Sequence, residues 1–90
     1  MCESVSIAKH SNSGDSSSFA LALGRVIRRR RLALGLSQAN AAMPLSRAFL
    51  SLVEHGRLTP SLPSLLILAR RLDTSASDIL RSVESELEDP

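Results

Sequence analysis

Between Gly35 and Gly56 the chain reads GLSQANAAMPLSRAFLSLVEHG, and Pro44 in the middle of that stretch forbids one continuous helix. Proline removes a backbone N–H and pushes the preceding residue, Met43, out of the helical region. Ser37 is a good N-cap, so a short helix is predicted over 38–43, ended by the proline. Ser46 is a second cap and starts another helix over about 47–55, which Gly56 stops. Two short helices joined by a turn of three or four residues are therefore fixed before anything else is known.

The flanking sequence supplies the body against which this pair packs. Leu23, Ile27, Arg31 and Leu34 follow helical spacing, giving a helix over about 19–34 whose inward stripe has Arg31 as its odd member. After the loop RLTP, Ser61 caps a fourth helix that tolerates Pro63 in its first turn and runs to about Leu72. Ser75 with Asp78 resembles a capping box, opening a fifth helix with an apolar stripe of Ile79, Leu80, Val83 and Leu87. There are two Phe and neither Tyr nor Trp, and no strand-like alternation, so the expected class is all-α with five short helices. Residues 1–18 hold seven serines and no apolar period, which predicts a flexible tail ahead of a single domain over 19–88.

Charge is divided sharply. Residues 1–18 carry −1, residues 19–72 carry nine arginines against Glu54 alone for +8, and residues 73–90 carry −5. A basic segment beside an acidic end suggests a polyanionic partner for one face, with the acidic end turned away from it. The densest run, Arg28 to Arg31, points around its helix; part of it suits the negative helix C-terminus and part offers general attraction to phosphate. Cys2 is the only cysteine, His10 and His55 stand apart, and neither metal-ligand spacing nor a Gly-rich phosphate loop is present. Neither an enzyme nor a metal or other cofactor is therefore expected, and no small-molecule ligand is evident. No apolar run approaches the ~20 residues of a bilayer span, and the expectation is a reduced, cytoplasmic protein.

Two capped helices across a tight turn form a helix-turn-helix, a geometry that holds the second helix proud enough to enter the ~12 Å major groove. The sequence resembles the lambda-repressor and Cro-like helix-turn-helix family over residues 22–80. LGRVIRRRRLALGLSQ is similar to the family's first helix and the start of its second, LSRAFLSLVEHG to its recognition helix, and PSLPSLLILARRL to its fourth helix. One departure is visible: Gln38 and Ser46 are eight residues apart where typical members have ten. Ala41 stands where Leu is usual, so the contact between the second and third helices is expected to be closer or repacked around Met43, Leu45 and Phe49.

The resemblance implies a sequence-specific regulator of transcription that binds double-stranded DNA with its third helix in the major groove. Leu50 and Val53 face inward, leaving Arg47, Ala48, Ser51 and Leu52 as base-contact candidates. Arg47 suits a bidentate contact to guanine, or a plain phosphate contact; Ala48 either meets a thymine methyl or serves as a good helix former. Leu52 stands where a polar side chain is common, and either contacts a methyl or packs at the rim. Ser37, Gln38, Ser46, Arg57 and Arg28 are the phosphate candidates, since helix N-termini and cations both attract anions. Gln38 has the plainer alternative of a helix former after its cap. Arg31 and Glu54, each on an apolar stripe, form by resemblance a partly buried ion pair between the first and third helices.

Ile79, Leu80, Val83 and Leu87 either close the core or, as the resemblance suggests, form a homodimer interface, which would make the operator an inverted repeat and the protein a repressor or controller-like regulator. The main competing reading is a protein-interaction adaptor that keeps the fold without specific DNA binding. Its weakness is that an adaptor has no need of a +8 segment. A membrane-surface role for the first helix is disfavoured because the core needs its apolar stripe, and RNA stacking because aromatics are almost absent.

Overall fold

A computed structural model describes residues 13–88, which form five α-helices: α1 (Ser13–Ala33), α2 (Gln38–Ala42), α3 (Arg47–Glu54), α4 (Leu62–Arg71) and α5 (Ala76–Glu88). No strand occurs among the described residues. The serine caps operate as the sequence suggests. Ser37 Oγ accepts from the Asn40 amide at 3.1 Å, Ser46 Oγ from Phe49 at 3.0 Å, Ser61 Oγ from Ser64 at 3.2 Å and Ser75 Oγ from Asp78 at 3.1 Å, each supplying one of the orphan donors of a helix start. The Asp78 carboxylate meets Arg81 at 3.4 Å, one turn along, so the Ser75–Asp78 box is formed on the serine side.

Three helices end in the same way. Gly35 at φ +71° and Gly56 at φ +74° turn the chain left-handed, and the amides that follow, Leu36 and Arg57, bond back five residues to Arg31 and Leu52 at 3.1 and 2.9 Å. After α4 a non-glycine does the same: Asp73 sits at φ +57°, and the Thr74 amide reaches the Ala69 carbonyl at 2.9 Å. Arg30 secures that turn from α1, donating through Nε to Leu72 O at 2.9 Å and through a terminal nitrogen to Asp73 O at 2.8 Å.

The core lies where α1, α3, α4 and α5 meet. Leu23, Ile27, Leu50, Val53, Leu68, Leu72 and Val83 are all fully buried there, each contributing on the order of 1.5–3 kcal/mol of apolar transfer free energy before ordering entropy is subtracted. α1 runs against both α3 and α5, while the short α2 bridges α3 and α4. Arg71 fastens the bridge, donating to the Asn40 carbonyl at 2.6 and 3.2 Å near the end of α2.

Several expectations need correction. The first helix starts at Ser13 instead of near residue 19, because serine is only mildly unfavourable in a helix and extension from a packed segment adds a hydrogen bond per residue. The rest of the expected tail, residues 1–12, lies outside the described residues. Leu34 leaves the inward stripe and is 40% exposed, since it follows the last helical residue and the Gly35 turn carries it away from the core. Met43 is likewise exposed, and the space under the shortened α2 is filled by Ala41 and Ala42, both fully buried, with Leu45 and Phe49 packed beside them. Ile79 and Val83 belong to the monomer's own core and are not available to a second subunit.

Candidate nucleic-acid interface

α3 divides cleanly between two environments. Leu50, Val53 and Glu54 are buried and Phe49 is half-buried, whereas Arg47, Ala48 and Leu52 are exposed and Ser51 partly so. At 100° per residue the buried set defines one side, and Ala48, Ser51, Leu52 and His55 fall around the opposite side with Arg47 at its leading edge. The four base-contact candidates therefore share one accessible face, and it begins at a capped helix N-terminus.

His55 is an exposed member of that face to which no role was assigned from its residue type and spacing. Its Nδ1 lies 2.8 Å from the Ser51 carbonyl, one turn earlier, and as that oxygen can only accept, the ring carries its proton on Nδ1 and turns Nε2 outward. Ser51, Leu52, His55 and Arg57 together line a shallow depression of about 260 Å³. The spacing of His55 from Ala48 and Ser51, seven and four residues, is the signal that would have found it.

The position of α3 is set from beneath. A Cβ at Gly24 would lie 2.5 Å from the Val53 carbonyl oxygen and 2.6 Å from that of Glu54, so only glycine lets α1 approach the end of α3 this closely. Beside it, Arg31 grips Glu54 with two parallel bonds: Nε to Oε2 at 2.6 Å and a terminal nitrogen to Oε1 at 3.0 Å. The Glu54 side chain is 1% exposed and that of Arg31 10%. The other Arg31 terminal nitrogen donates to the Leu36 carbonyl at 2.9 Å, and Gln38 Nε2 donates to Glu54 Oε1 at 3.0 Å. One carboxylate thus ties together α1, α2 and α3. Hydrogen bonding to Glu54 holds the Arg31 guanidinium above its ordinary pKa against the opposing effect of burial.

This arrangement gives Gln38 a structural duty, since its amide points at Glu54; what remains at the α2 start for an anion is chiefly backbone N–H. Ser37 and Ser46 cap their helices with exposed side chains, and Arg57 and Arg28 are exposed. The side chains of Arg47, Arg57, Arg28 and Arg70 have no hydrogen-bond or ion-pair partner among the described residues. The basic segment is less available than its sequence charge suggests. Arg25 and Arg29 meet Glu86 of α5 at 3.3 and 2.6 Å, so the acidic end folds onto α1 instead of standing wholly apart. The hydrogen bond from Arg29, and then that from Arg25, holds the Glu86 carboxyl below its usual pKa. Within the run 28–31 only the Arg28 side chain lacks a partner among the described residues, as each successive 100° step aims the next arginine at a different neighbour.

Between α1 and α5, Phe19, Leu80 and Leu87 surround a groove of about 600 Å³ floored by Val83, with Arg81 and Glu84 among its lining residues. Among the described residues no group of three or more His, Cys, Asp or Glu side chains could hold a metal ion, and no helix is long and apolar enough to cross a membrane.

Residues 22–81 match the family model of a helix-turn-helix domain. Among solved structures, the chain is similar to the clp gene regulator ClgR from Corynebacterium glutamicum, with a TM-score of 0.73 and 26% identity over 78% of this chain and 77% of that one. It is also similar to the restriction-modification controller protein C.AhdI from Aeromonas hydrophila, with a TM-score of 0.65 and 34% identity over 67% of this chain and 94% of that one. No curated protein sequence matches it.

Proposed function

This chain belongs to the helix-turn-helix domain family and is a DNA-binding regulator, and on that premise we propose that it acts as a cytoplasmic two-fold dimer on a palindromic operator, with α3 in the major groove of each half-site. The observation that carries the reading is the division of α3: one side is locked to the body through Glu54 and Gly24, while Arg47, Ala48, Ser51 and Leu52 stand on the other side. Arg47 enters the groove first and reads guanine. Arg57, Arg28 and the N-termini of α2 and α3, with their Ser37 and Ser46 caps, hold the phosphate backbone on either side.

The dimer rests on the groove between α1 and α5. Leu87 is 48% exposed and Leu80 half-buried, and with Phe19 they offer an apolar strip that a second copy would cover. Two-fold symmetry then sets the half-sites about one helical turn, ~34 Å, apart. Duplex affinity measured by fluorescence anisotropy tests the reading. Between 50 and 200 mM salt it is expected to fall on the scale of ~10³, as counterions are released from several phosphates. A flat salt response would favour the adaptor reading, in which the outer face of α3 meets protein. Sedimentation equilibrium of the chain and of Leu87→Asp separates dimer from monomer.

A further inference from the structure

The outer side of α3 is unusual for a surface that reads hydrogen-bonding edges, because its two most central exposed side chains, Ala48 and Leu52, have nothing to donate and only the partly buried Ser51 hydroxyl stands beside them. Arg47 leads and His55 and Arg57 follow, but between them Ala48 and Leu52, one helical turn apart, are both exposed and purely apolar, with Leu52 42% accessible. Solvated apolar surface between cations is a liability unless the partner offers apolar surface in a polyanionic setting. In the major groove one group meets that description: the C5 methyl of a pyrimidine, carried by thymine and by 5-methylcytosine, standing between two rows of phosphates. We infer that Ala48 and Leu52 form a receptor for pyrimidine C5 methyl groups, placed next to the base read by Arg47, and that this strip sets the operator's preference at the centre of each half-site. The inference rests on the DNA-binding reading above and adds to it which bases α3 selects and by what chemistry.

The geometry supports the order of contacts. A recognition helix brings its N-terminal residues nearest the bases and its C-terminal end toward the backbone, so Arg47 and Ala48 reach deepest, Leu52 one turn behind, and Arg57 approaches phosphate. The bond from Gln38 to Glu54 and the close approach at Gly24 hold α3 at fixed depth, so a methyl-sized difference at the base edge is felt by a surface that does not yield. Leu52 adds an isobutyl group wide enough to cover one methyl, with Ala48 beside it leaving room for a second. Burial of a methyl group corresponds to about a fourfold change in affinity.

The test selects bound duplexes from random pools synthesised three ways: with the ordinary four bases, with uracil replacing thymine, and with 5-methylcytosine replacing cytosine. In the ordinary pool, one or two thymines are expected at fixed positions beside the guanine read by Arg47. In the uracil pool those positions should lose their preference while the guanine persists, and a selected duplex resynthesised with uracil at one such position in each half-site should bind about fourfold more weakly per methyl removed. Enrichment of 5-methylcytosine at the same positions in the third pool would show that the receptor takes the methyl from either base; no enrichment there would assign it to thymine. Leu52→Asn, a change at an exposed site that should leave melting unaltered, is expected to erase the difference between thymine and uracil duplexes. Equal affinity for thymine and uracil duplexes, with a retained consensus, would overturn the methyl receptor and leave DNA reading intact. Failure to recover any bound sequence from all three pools would overturn both.

Discussion

Removing Glu54 should damage this protein more than almost any other single change. Its carboxylate is buried and accepts three hydrogen bonds, two from Arg31 and one from Gln38, at 2.6 to 3.0 Å. In Glu54→Ala, Arg31 remains on α1 at 8% exposure with only the Leu36 carbonyl as partner, and Gln38 loses its acceptor. An uncompensated buried charge of this kind costs about 3–5 kcal/mol. A domain of this length has on the order of 4–11 kcal/mol of stability in total, so the loss is a large fraction of it. At about 4–8 °C per kcal/mol, the melting temperature followed by circular dichroism should drop by roughly 12–40 °C. The double variant Arg31→Met with Glu54→Leu replaces the pair with apolar groups, and should recover most of that loss because neither charge is then stranded. An unchanged melting temperature in Glu54→Ala, or a double variant no more stable than the single one, would refute the reasoning.

Other perturbations probe other joints. Gly24→Ala places a methyl against the carbonyls of Val53 and Glu54 and should lower stability by about 1–3 kcal/mol in denaturant melts, while weakening DNA binding by displacing α3. Arg47→Ala should relax base choice at one position per half-site, losing about 1–3 kcal/mol of discrimination in competition binding; equal loss on all sequences would reduce Arg47 to a phosphate contact. Glu86 has its pKa depressed in the folded state, so its contribution is present above the ordinary carboxylate pKa and is lost as pH falls through the folded value. Because Arg25 and Arg29 are largely solvated, that contribution is below about 1 kcal/mol, and pH-dependent melts of Glu86→Gln should lack only this increment, chiefly above about pH 4.

The helix boundaries were legible where a residue changes the local rules of the backbone. Ser37, Pro44, Ser46, Gly56 and Ser61 each act through their own neighbours, so one sequence suffices to read them. The Arg31–Glu54 pair was legible for a related reason: a charge on an apolar stripe must find its opposite, and few opposites existed. The duties of Arg25, Arg29, Arg30 and Arg71 were hidden, because a long side chain's partner depends on which helix packs alongside and at what rotation. Gly24 was hidden too, since its importance lies in the distance between two helices and not in its own conformation. On α5 the apolar residues 79, 80, 83 and 87 could not be apportioned between the protein's core and a second subunit; the direction of α1 decides it, sinking Ile79 and Val83 and leaving Leu80 and Leu87 at the groove. The serine-rich start of α1 misled because composition reports on isolated segments, whereas a helix already packed can recruit indifferent residues.

The central claim is that the outer side of α3 meets a duplex while its inner side holds it to the domain. Titration of isotope-labelled protein with a selected duplex, followed through backbone amide shifts, tests it residue by residue. The expected result is that the largest changes fall on residues 37–40, 46–52 and 55–57, with α4 and the groove at Leu80 and Leu87 unmoved by duplex contact. Changes centred on that groove or on α4, with Arg47 to Leu52 unaffected at saturation, would contradict it.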